Sequence, residues 1–226
     1  MARLKVGARL KVGILISGRG SNMRALIAAC RAPNFPAEIV LVISNEPGAA
    51  GLGRAKDAGI ATRVIDHRGF NKERPAFERA LTAALTEAGV EFVCNAGFMR
   101  LLTDTFVSHW RDRLINIHPS LLPAFRGLDT HKRALAAGAR LHGCTVHFVR
   151  VAMDEGPIIV QAAVPVLAGD DEAKLAARVL AAEHRCYPLA LRLAAEKRLR
   201  VEGERCLIDG APAQEAVLMN PPPILG

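Results

Sequence analysis

The chain has 226 residues and half of them are apolar, which suffices for the core of one domain, or at most two small ones, and argues against a disordered chain. Aromatic residues make up only 4%, so the bases of a nucleic acid would find few stacking partners. Lysine and arginine (30) outnumber aspartate and glutamate (22), and this net charge of +8 is spread along the chain, which favours an anionic partner and leaves open a small phosphorylated substrate.

The first half of the chain alternates between short apolar runs and segments with helical periodicity. Residues 2–7 (ARLKVG) recur letter for letter at 8–13, and the second copy runs into an apolar stretch, so the first strand is predicted to begin at Leu10. Strands are predicted at 10–17, 39–44, 62–65 and 92–96, and helices at 22–30, 51–58 and 74–87. Gly59 and Gly89 stand where a left-handed residue ends a helix. This alternation predicts right-handed βαβ units and a parallel sheet covered on both faces.

The alternation of strands and helices ends after a further predicted strand at 114–118. Strands at 142–149 and 158–166 are joined by the short turn 154–157, which is typical of an antiparallel pair. A long helix at 171–197 and a weak hairpin around Gly203 follow. We therefore predict an α/β fold with a mostly parallel central sheet, helices on both faces and an antiparallel portion in the C-terminal half. The predicted organisation is a mobile tail over 1–9, a single domain over 10–210 and a proline-rich tail over 211–226.

The five cysteines are odd in number and lack CxxC spacing, and Cys30, Cys94 and Cys144 fall inside predicted elements. This pattern indicates reduced, buried thiols and neither a disulfide framework nor a zinc site. No apolar run approaches the roughly 18 residues that span a bilayer, and the start of the chain lacks the apolar region of a signal peptide. We expect a cytoplasmic protein without a bound metal.

The first segment that could bind a ligand is Ser17-Gly18-Arg19-Gly20-Ser21-Asn22, between a predicted strand and a predicted helix. Its glycines would let backbone N–H groups close on an anion, which the dipole of the following helix also attracts. Ser21 or Asn22 could cap that helix. A Walker loop is excluded because no Gly-Lys-Ser/Thr follows, and Met23 occupies the third glycine position of a dinucleotide fingerprint. The loop indicates a phosphate, or else a plain strand-to-helix turn.

Two polar side chains stand at the end of the predicted strand 114–118. Strand alternation places Asn116 and His118 on one face, and Pro119 stops the strand directly after them. Crevices of open α/β sheets lie at such carboxyl ends. An amide and an imidazole aimed at one point could stabilise an oxyanion, and His118 could also move a proton. A structural histidine is the plainer alternative.

Two further segments become functional only if the fold brings them to His118. Asp154 precedes a Gly-Pro turn, where aspartate is common for conformational reasons; beside His118 its carboxylate would orient the imidazole or a water. The segment 97–102 (GFMRLL) also follows a predicted strand, and by itself it is typical of core packing with one exposed arginine.

Together these segments resemble the phosphoribosylglycinamide formyltransferase family over residues 11–201. The motifs that carry the resemblance, in order, are SGRGSN (17–22), AGFMRLL (96–102), NIHPSLLP (116–123), HGCTVHFV (142–149), MDEGPII (153–159) and AEHRCYP (182–188). The resemblance implies a Rossmann-like formyltransferase fold and transfer of a formyl group from 10-formyltetrahydrofolate to the amine of 5-phosphoribosylglycinamide, without a metal. It further implies a phosphate-binding N-terminal half, a folate-binding C-terminal half, small-molecule partners only, and a monomer or homodimer.

The resemblance also implies roles for individual residues. Asn116, His118 and Asp154 match the catalytic trio, in which Asn116 and a protonated His118 stabilise the oxyanion and Asp154 assists proton transfer. Phosphoribosylglycinamide would be bound by Gly20, Ser21, Asn22 and Glu183, with Glu183 on the ribose hydroxyls. The folate would be bound by Arg74, Met99, Arg100, Leu101, Leu102, Asn116, Arg150, Val151, Ala152, Met153 and Asp154.

The chain departs from the family pattern at three places. Residues 150–153 (RVAM) stand where relatives often carry acidic residues, and Leu180 stands where they often carry a polar or basic one. Arg126 stands where a proline is common, and the sequence offers no physical account of that change.

Three other functions remain open at this stage. A methionyl-tRNA formyltransferase would need a C-terminal barrel for which only about 25 residues remain, and a formyltetrahydrofolate hydrolase would need an additional N-terminal domain. A non-catalytic nucleotide-binding module would explain the glycine loop but leave Asn116, His118 and Asp154 as coincidences.

Overall fold

A seven-stranded sheet lies at the centre of the computed structural model, which describes residues 8–210 and 218–221. Its strands are β1 (Leu10–Ile16), β2 (Ala37–Ser44), β3 (Ala61–Val64), β4 (Phe92–Asn95), β5 (Leu114–His118), β6 (Leu141–Phe148) and β7 (Ile158–Pro165). The order across the sheet is β3-β2-β1-β4-β5-β6-β7. Strands β1 to β5 pair in parallel, whereas β6 pairs antiparallel with both β5 and β7. The predicted mostly parallel sheet with an antiparallel C-terminal portion is confirmed.

Six α-helices and a small hairpin complete the described fold. The helices are α1 (Ser21–Cys30), α2 (Ala50–Asp57), α3 (Arg74–Glu87), α4 (Asp104–His109), α5 (Thr130–Ala136) and α6 (Glu172–Ala195), and the hairpin pairs β8 (Leu199–Glu202) with β9 (Arg205–Ile208). The sequence did not predict α4, α5 or the 3₁₀ turn His67–Phe70, because periodicity cannot be recognised over four to seven residues. Gly59 and Gly89 have the expected positive φ angles of 77° and 66° after α2 and α3.

The sheet separates two apolar cores, and β1 contributes to both. Val12, Ile14 and Ile16 face the core that contains α1 and α6, whereas Leu15 faces the core built with α3 and α4. Both faces of β1 are therefore buried, which explains why its sequence is an unbroken apolar run. The long helix α6 is tied to the sheet by Tyr187, whose hydroxyl donates to the carbonyl of Asn95 at 2.8 Å.

The strand order reverses at β1, which has β2 on one side and β4 on the other. Loops that follow β1, β4 and β5 leave the same edge of the sheet because these strands are parallel. Ligands of open α/β sheets bind at such a point, so the fold places three of the predicted functional segments around one crevice.

The predicted tails over 1–9 and 211–226 fall largely outside the described residues. Within the described ranges the five cysteines are free thiols, and all but Cys206 are buried. No described helix has the length and apolarity that crossing a bilayer requires. Residues 8–210 and 218–221 also contain no cluster of three His, Cys, Asp or Glu side chains suited to a metal ion.

Candidate active site

His118 and Asp154 meet at the carboxyl end of β5. Nδ1 of His118 lies 3.4 Å from Oδ2 of Asp154, and the two side chains are 7% and 10% exposed. Nε2 of His118 lies 3.1 Å from the carbonyl oxygen of Phe125 and must donate to it, because that oxygen can only accept. The backbone N–H of Gly127 donates to Asp154 Oδ2 at 2.9 Å. The pair that the sequence could only suggest is therefore in direct contact.

Asp154 reaches this position because its backbone is left-handed, with φ of 58°. Aspartate tolerates this conformation better than most residues. The turn that follows is equally constrained: a Cβ at Gly156 would lie 1.7 Å from the carbonyl oxygen of Phe148. The Asp-Glu-Gly-Pro turn thus folds back on the end of β6 and presents the carboxylate to His118.

A second histidine, His147, completes the site and was missed by the sequence analysis. It pairs with Asn116 across the antiparallel register of β5 and β6. Its Nδ1 donates to the carbonyl of Phe148 at 2.9 Å, and its Nε2 lies 3.4 Å from Asn116 Nδ2 and 3.8 Å from Asp154 Oδ1. Burial, the largest influence, lowers the pKa of His147. The neutral ring accepts one amide hydrogen of Asn116 and leaves the second for a ligand.

Only the antiparallel pairing could have revealed His147, because it is 31 residues from Asn116 along the chain. His142, on the same strand β6, contacts His131 on α5, with Nε2 and Nδ1 3.2 Å apart.

The glycine loop approaches the start of α2 as well as that of α1. Gly20 has φ of 67°, and the backbone N–H of Gly51 donates to the carbonyl of Gly18 at 3.0 Å. A Cβ at Gly51 would lie 3.0 Å from that carbonyl oxygen and 3.4 Å from Gly20 Cα. Glycine at 51 therefore permits the close contact between loop and helix.

The expected capping of α1 by Ser21 or Asn22 is wrong. The N-cap is Gly20, and no side chain accepts a hydrogen bond there. Asn22 instead turns to α6 and donates from Nδ2 to Oε2 of Glu183 at 2.7 Å. The first backbone N–H groups of α1 consequently have no side-chain cap, which suits an anion at this end of the helix.

Asn22 and Glu183 form a buried polar pair beside the glycine loop. They are 8% and 6% exposed, and Oδ1 of Asn22 has no hydrogen-bond partner among the described residues. Burial raises the pKa of Glu183, and the hydrogen bond from Asn22 opposes that shift. An orphaned acceptor and a desolvated carboxyl are costly without a partner, so the pair is suited to receive hydroxyl or N–H donors from a ligand.

The segment 97–102 is held at both ends and exposed between them. The backbone N–H of Met99 donates to Ser17 Oγ at 2.8 Å, and that of Thr103 donates to buried Glu78 Oε1 at 2.8 Å. Side chains of Met99 and Leu101 are 66% and 57% exposed. The two apolar side chains are therefore exposed on a segment whose backbone is held at both ends.

Two residues predicted to bind the folate, Arg74 and Arg150, form no hydrogen bond or ion pair with the His118–Asp154 pair. Arg74 is exposed at the start of α3, and its guanidinium has no hydrogen bond or ion pair with the described residues. The guanidinium of Arg150 pairs with Asp112 at 2.8 Å and with Glu204 at 3.8 Å. Val151, Ala152 and Met153 are exposed. The roles predicted for all these residues stay predictions.

Comparisons with known proteins show which proteins the chain is similar to. A family model described as formyl transferase matches residues 10–191. The chain is 44% identical to a phosphoribosylglycinamide formyltransferase of Escherichia coli, over 89% of this chain and 94% of that protein. It superposes with a TM-score of 0.87 on a glycinamide ribonucleotide transformylase 1 from Symbiobacterium toebii, with 48% identity and coverage of 89% of this chain and 95% of that one.

Larger proteins also contain a matching region. The chain is 50% identical to a trifunctional purine biosynthetic protein adenosine-3 of Gallus gallus over 85% of its own length. It spans only 19% of that protein.

Proposed function

The chain belongs to the formyl transferase family, and from this premise we propose that it transfers the formyl group of 10-formyltetrahydrofolate to the amine of 5-phosphoribosylglycinamide in purine biosynthesis. Enzymes of the family use a formyl folate as co-substrate. The observation that carries the proposal is the contact of His118 with Asp154, 3.4 Å apart, beside Asn116 at the carboxyl end of β5. A binding module would not need these three groups together.

Asn116 and His118 are proposed to stabilise the charge that develops on the formyl oxygen. When the substrate amine attacks the formyl carbon, that oxygen becomes an oxyanion, and preorganised donors stabilise it. Asn116 Nδ2 has one hydrogen free because His147 accepts the other. His118 Nε2 donates to the carbonyl of Phe125, so its donation to the oxyanion requires exchange of this partner.

Asp154 is proposed to assist the proton transfer that completes the reaction. The attacking nitrogen loses a proton, and the departing folate nitrogen gains one. Asp154 lies beside His118 and accepts the N–H of Gly127, so it can hold a protonated His118 or orient a water between the two nitrogens. Both routes balance the proton without a metal.

The phosphate and ribose of the acceptor are proposed to bind at the start of α1. Gly20, Ser21 and Asn22 would direct backbone N–H groups at the phosphate, whose charge the helix dipole attracts. Glu183 and the unpaired Oδ1 of Asn22 would take ribose hydroxyl or amide donors. The folate would lie along residues 97–102 and the turn 150–154.

A transfer assay with several acceptors tests the proposal. Purified protein is mixed with 10-formyltetrahydrofolate and either phosphoribosylglycinamide, its dephosphorylated form, methionyl-tRNA or no acceptor. We expect release of tetrahydrofolate that depends on phosphoribosylglycinamide and is weak with the dephosphorylated form. Release of tetrahydrofolate without an acceptor would indicate a hydrolase, and transfer to methionyl-tRNA would indicate that the tRNA is the acceptor. No release of tetrahydrofolate under any of these conditions would contradict an enzymatic function.

A further inference from the structure

The loop 123–129 passes over the catalytic pair and contacts both of its members. The carbonyl of Phe125 accepts from His118, and the N–H of Gly127 donates to Asp154. These two backbone contacts determine how the imidazole and the carboxylate face each other. Contacts that stabilise this loop therefore also stabilise the relative position of His118 and Asp154.

The backbone of this loop is not one that its sequence adopts by preference. Phe125, Gly127 and Asp129 have φ angles of 53°, 80° and 55°, and a left-handed conformation is unfavourable for a bulky residue such as phenylalanine. The loop needs contacts that stabilise it. Arg133 supplies some of these, because it donates to the carbonyl of Arg126 at 2.5 Å and lies 5.7 Å above the Phe125 ring.

Arg126 supplies the connection to the other loop. Its guanidinium forms an ion pair with the carboxylate of Glu155. Arg126 directly precedes Gly127 and Glu155 directly follows Asp154, so the ion pair stands next to the Gly127–Asp154 hydrogen bond. The two contacts together join the loop 123–129 to the turn 154–157 at adjacent positions.

We propose that Arg126 is a positioning residue that, through Glu155, keeps Asp154 in register with His118. This inference rests on the proposed formyl transfer and extends it to the position where relatives often carry proline. A proline could not form this ion pair. The Arg126 side chain forms its ion pair with Glu155 and no hydrogen bond or ion pair with His118 or Asp154, so its influence on the reaction passes through the backbone of the two loops.

The expected consequence is a loss in turnover with little loss in stability. The Arg126 and Glu155 side chains are 43% and 46% exposed, and exposed ion pairs contribute little to the stability of the fold. Rates are more sensitive, because a displacement of about 1 Å can cost up to about a hundredfold. The Arg63–Glu87 pair, 46% and 68% exposed and far along the sheet on β3 and α3, provides a matched control.

The test compares Arg126→Gln, Glu155→Gln and their double variant with wild type, and includes Arg63→Gln. We expect each single change to lower kcat about three- to tenfold with unchanged KM for phosphoribosylglycinamide, and the double variant to resemble the singles. Arg126→Lys and the charge-swapped Arg126→Glu/Glu155→Arg protein should recover most of the rate. Arg63→Gln should match wild type.

A second measurement does not depend on turnover. In protein labelled with ¹⁵N-histidine, the ring signals of His118 should move in Arg126→Gln and return in Arg126→Lys. Wild-type kcat and unmoved signals in Arg126→Gln, or independent losses that multiply in the double variant, would overturn the role of Arg126. A wild-type protein without phosphoribosylglycinamide-dependent transfer would instead contradict the proposed function, which separates the two failures.

Discussion

Both ring nitrogens of His118 face oxygen atoms, and this arrangement limits what the residue can do. Nε2 donates to Phe125, and Nδ1 faces Asp154 Oδ2. A ring with hydrogens on both nitrogens satisfies both oxygens, and it is the form that stabilises an oxyanion best. In the proposed mechanism the residue combines charge stabilisation with proton transfer, which alanine, asparagine or glutamine could not reproduce.

Replacing His118 by alanine should lower kcat by about two orders of magnitude or more, the typical effect of removing an oxyanion donor. Circular dichroism and binding of phosphoribosylglycinamide should remain near wild type, because the side chain lies at the end of a strand and the proposed phosphate site is at the start of α1. His109→Ala, at an exposed histidine on α4, is the control. A fully active His118→Ala protein would remove the residue from the mechanism.

Ser21 tests the phosphate site at the start of α1. An aspartate there would place a carboxylate beside the phosphate, and repulsion between unit charges about 4 Å apart amounts to about 1–4 kcal/mol. Ser21→Asp should therefore raise KM for phosphoribosylglycinamide roughly fivefold or more, with little change in KM for the folate. Ser21→Ala, which adds no charge, should show a much smaller effect. Equal KM values for phosphoribosylglycinamide in the two variants would indicate that the phosphate binds elsewhere.

At the scale of elements, the glycine loop depends on how closely α2 packs against it. A Cβ at Gly51 would lie 2.5 Å from Ile16 Cδ1 as well as 3.0 Å from the carbonyl of Gly18, whereas a Cβ at Gly53 would meet nothing within 4 Å. Two glycines of one helix thus differ in whether a methyl group can be accommodated.

Gly51→Ala should destabilise the fold by about 1–3 kcal/mol, the usual cost of overpacking. It should also raise KM for phosphoribosylglycinamide, because the glycine loop, where the phosphate is proposed to bind, must move. Gly53→Ala should be neutral or stabilise by up to about 1 kcal/mol, since alanine favours helix. Urea unfolding with parallel kinetics distinguishes the two variants. Equal stability for both proteins would show that α2 and the loop are not in tight contact.

At the scale of the whole molecule, buried and half-buried histidines couple stability to pH. Burial, followed by the nearby charges of His131 and His118, lowers the pKa of His142 to about 4, and the pKa values of His131, His147 and His184 are also lowered, chiefly by burial. An unfolded chain would protonate these rings near pH 6.5. Between pH 6.5 and 4 the unfolded state therefore binds more protons, and acid favours unfolding.

The free energy of unfolding should accordingly fall as the pH decreases from about 6.5 towards 4, and the contribution of His142 should level off below its folded pKa of about 4. His142→Gln should reduce the slope over this range, whereas His109→Gln, at an exposed ring, should not. Urea titrations at several pH values measure the slope. A slope that is the same in His142→Gln and wild type would contradict the contribution of the buried ring.

Most of the regular elements could be predicted within two residues of their observed ends. The strands of the sheet are apolar runs bounded by polar or glycine-rich turns, and α1, α2, α3 and α6 are long enough for periodicity to be recognised. Helices α4 and α5 are too short for this. Capping was misjudged at α1, because the partner that attracts Asn22 is Glu183, 161 residues away.

The candidate site was predictable in its residue types and in part of its geometry. The alternation of β5 placed Asn116 and His118 on one face, and family resemblance singled out Asp154. The contact of His147 with Asn116 was not predictable, because it depends on antiparallel register between strands that are distant along the chain. The ion pair between Arg126 and Glu155 likewise depends on two loops whose paths no local rule determines.

The sequence by itself determined the α/β alternation, the positions of the strands and the motifs that identify the family, because these follow from local periodicity and from residues close together in the chain. Tertiary structure alone decided that the carboxylate of Asp154 meets His118, that His147 orients Asn116 and that Asn22 pairs with Glu183. Each of these contacts requires register between separate elements, and that register results from burying both faces of the sheet and pairing its strands.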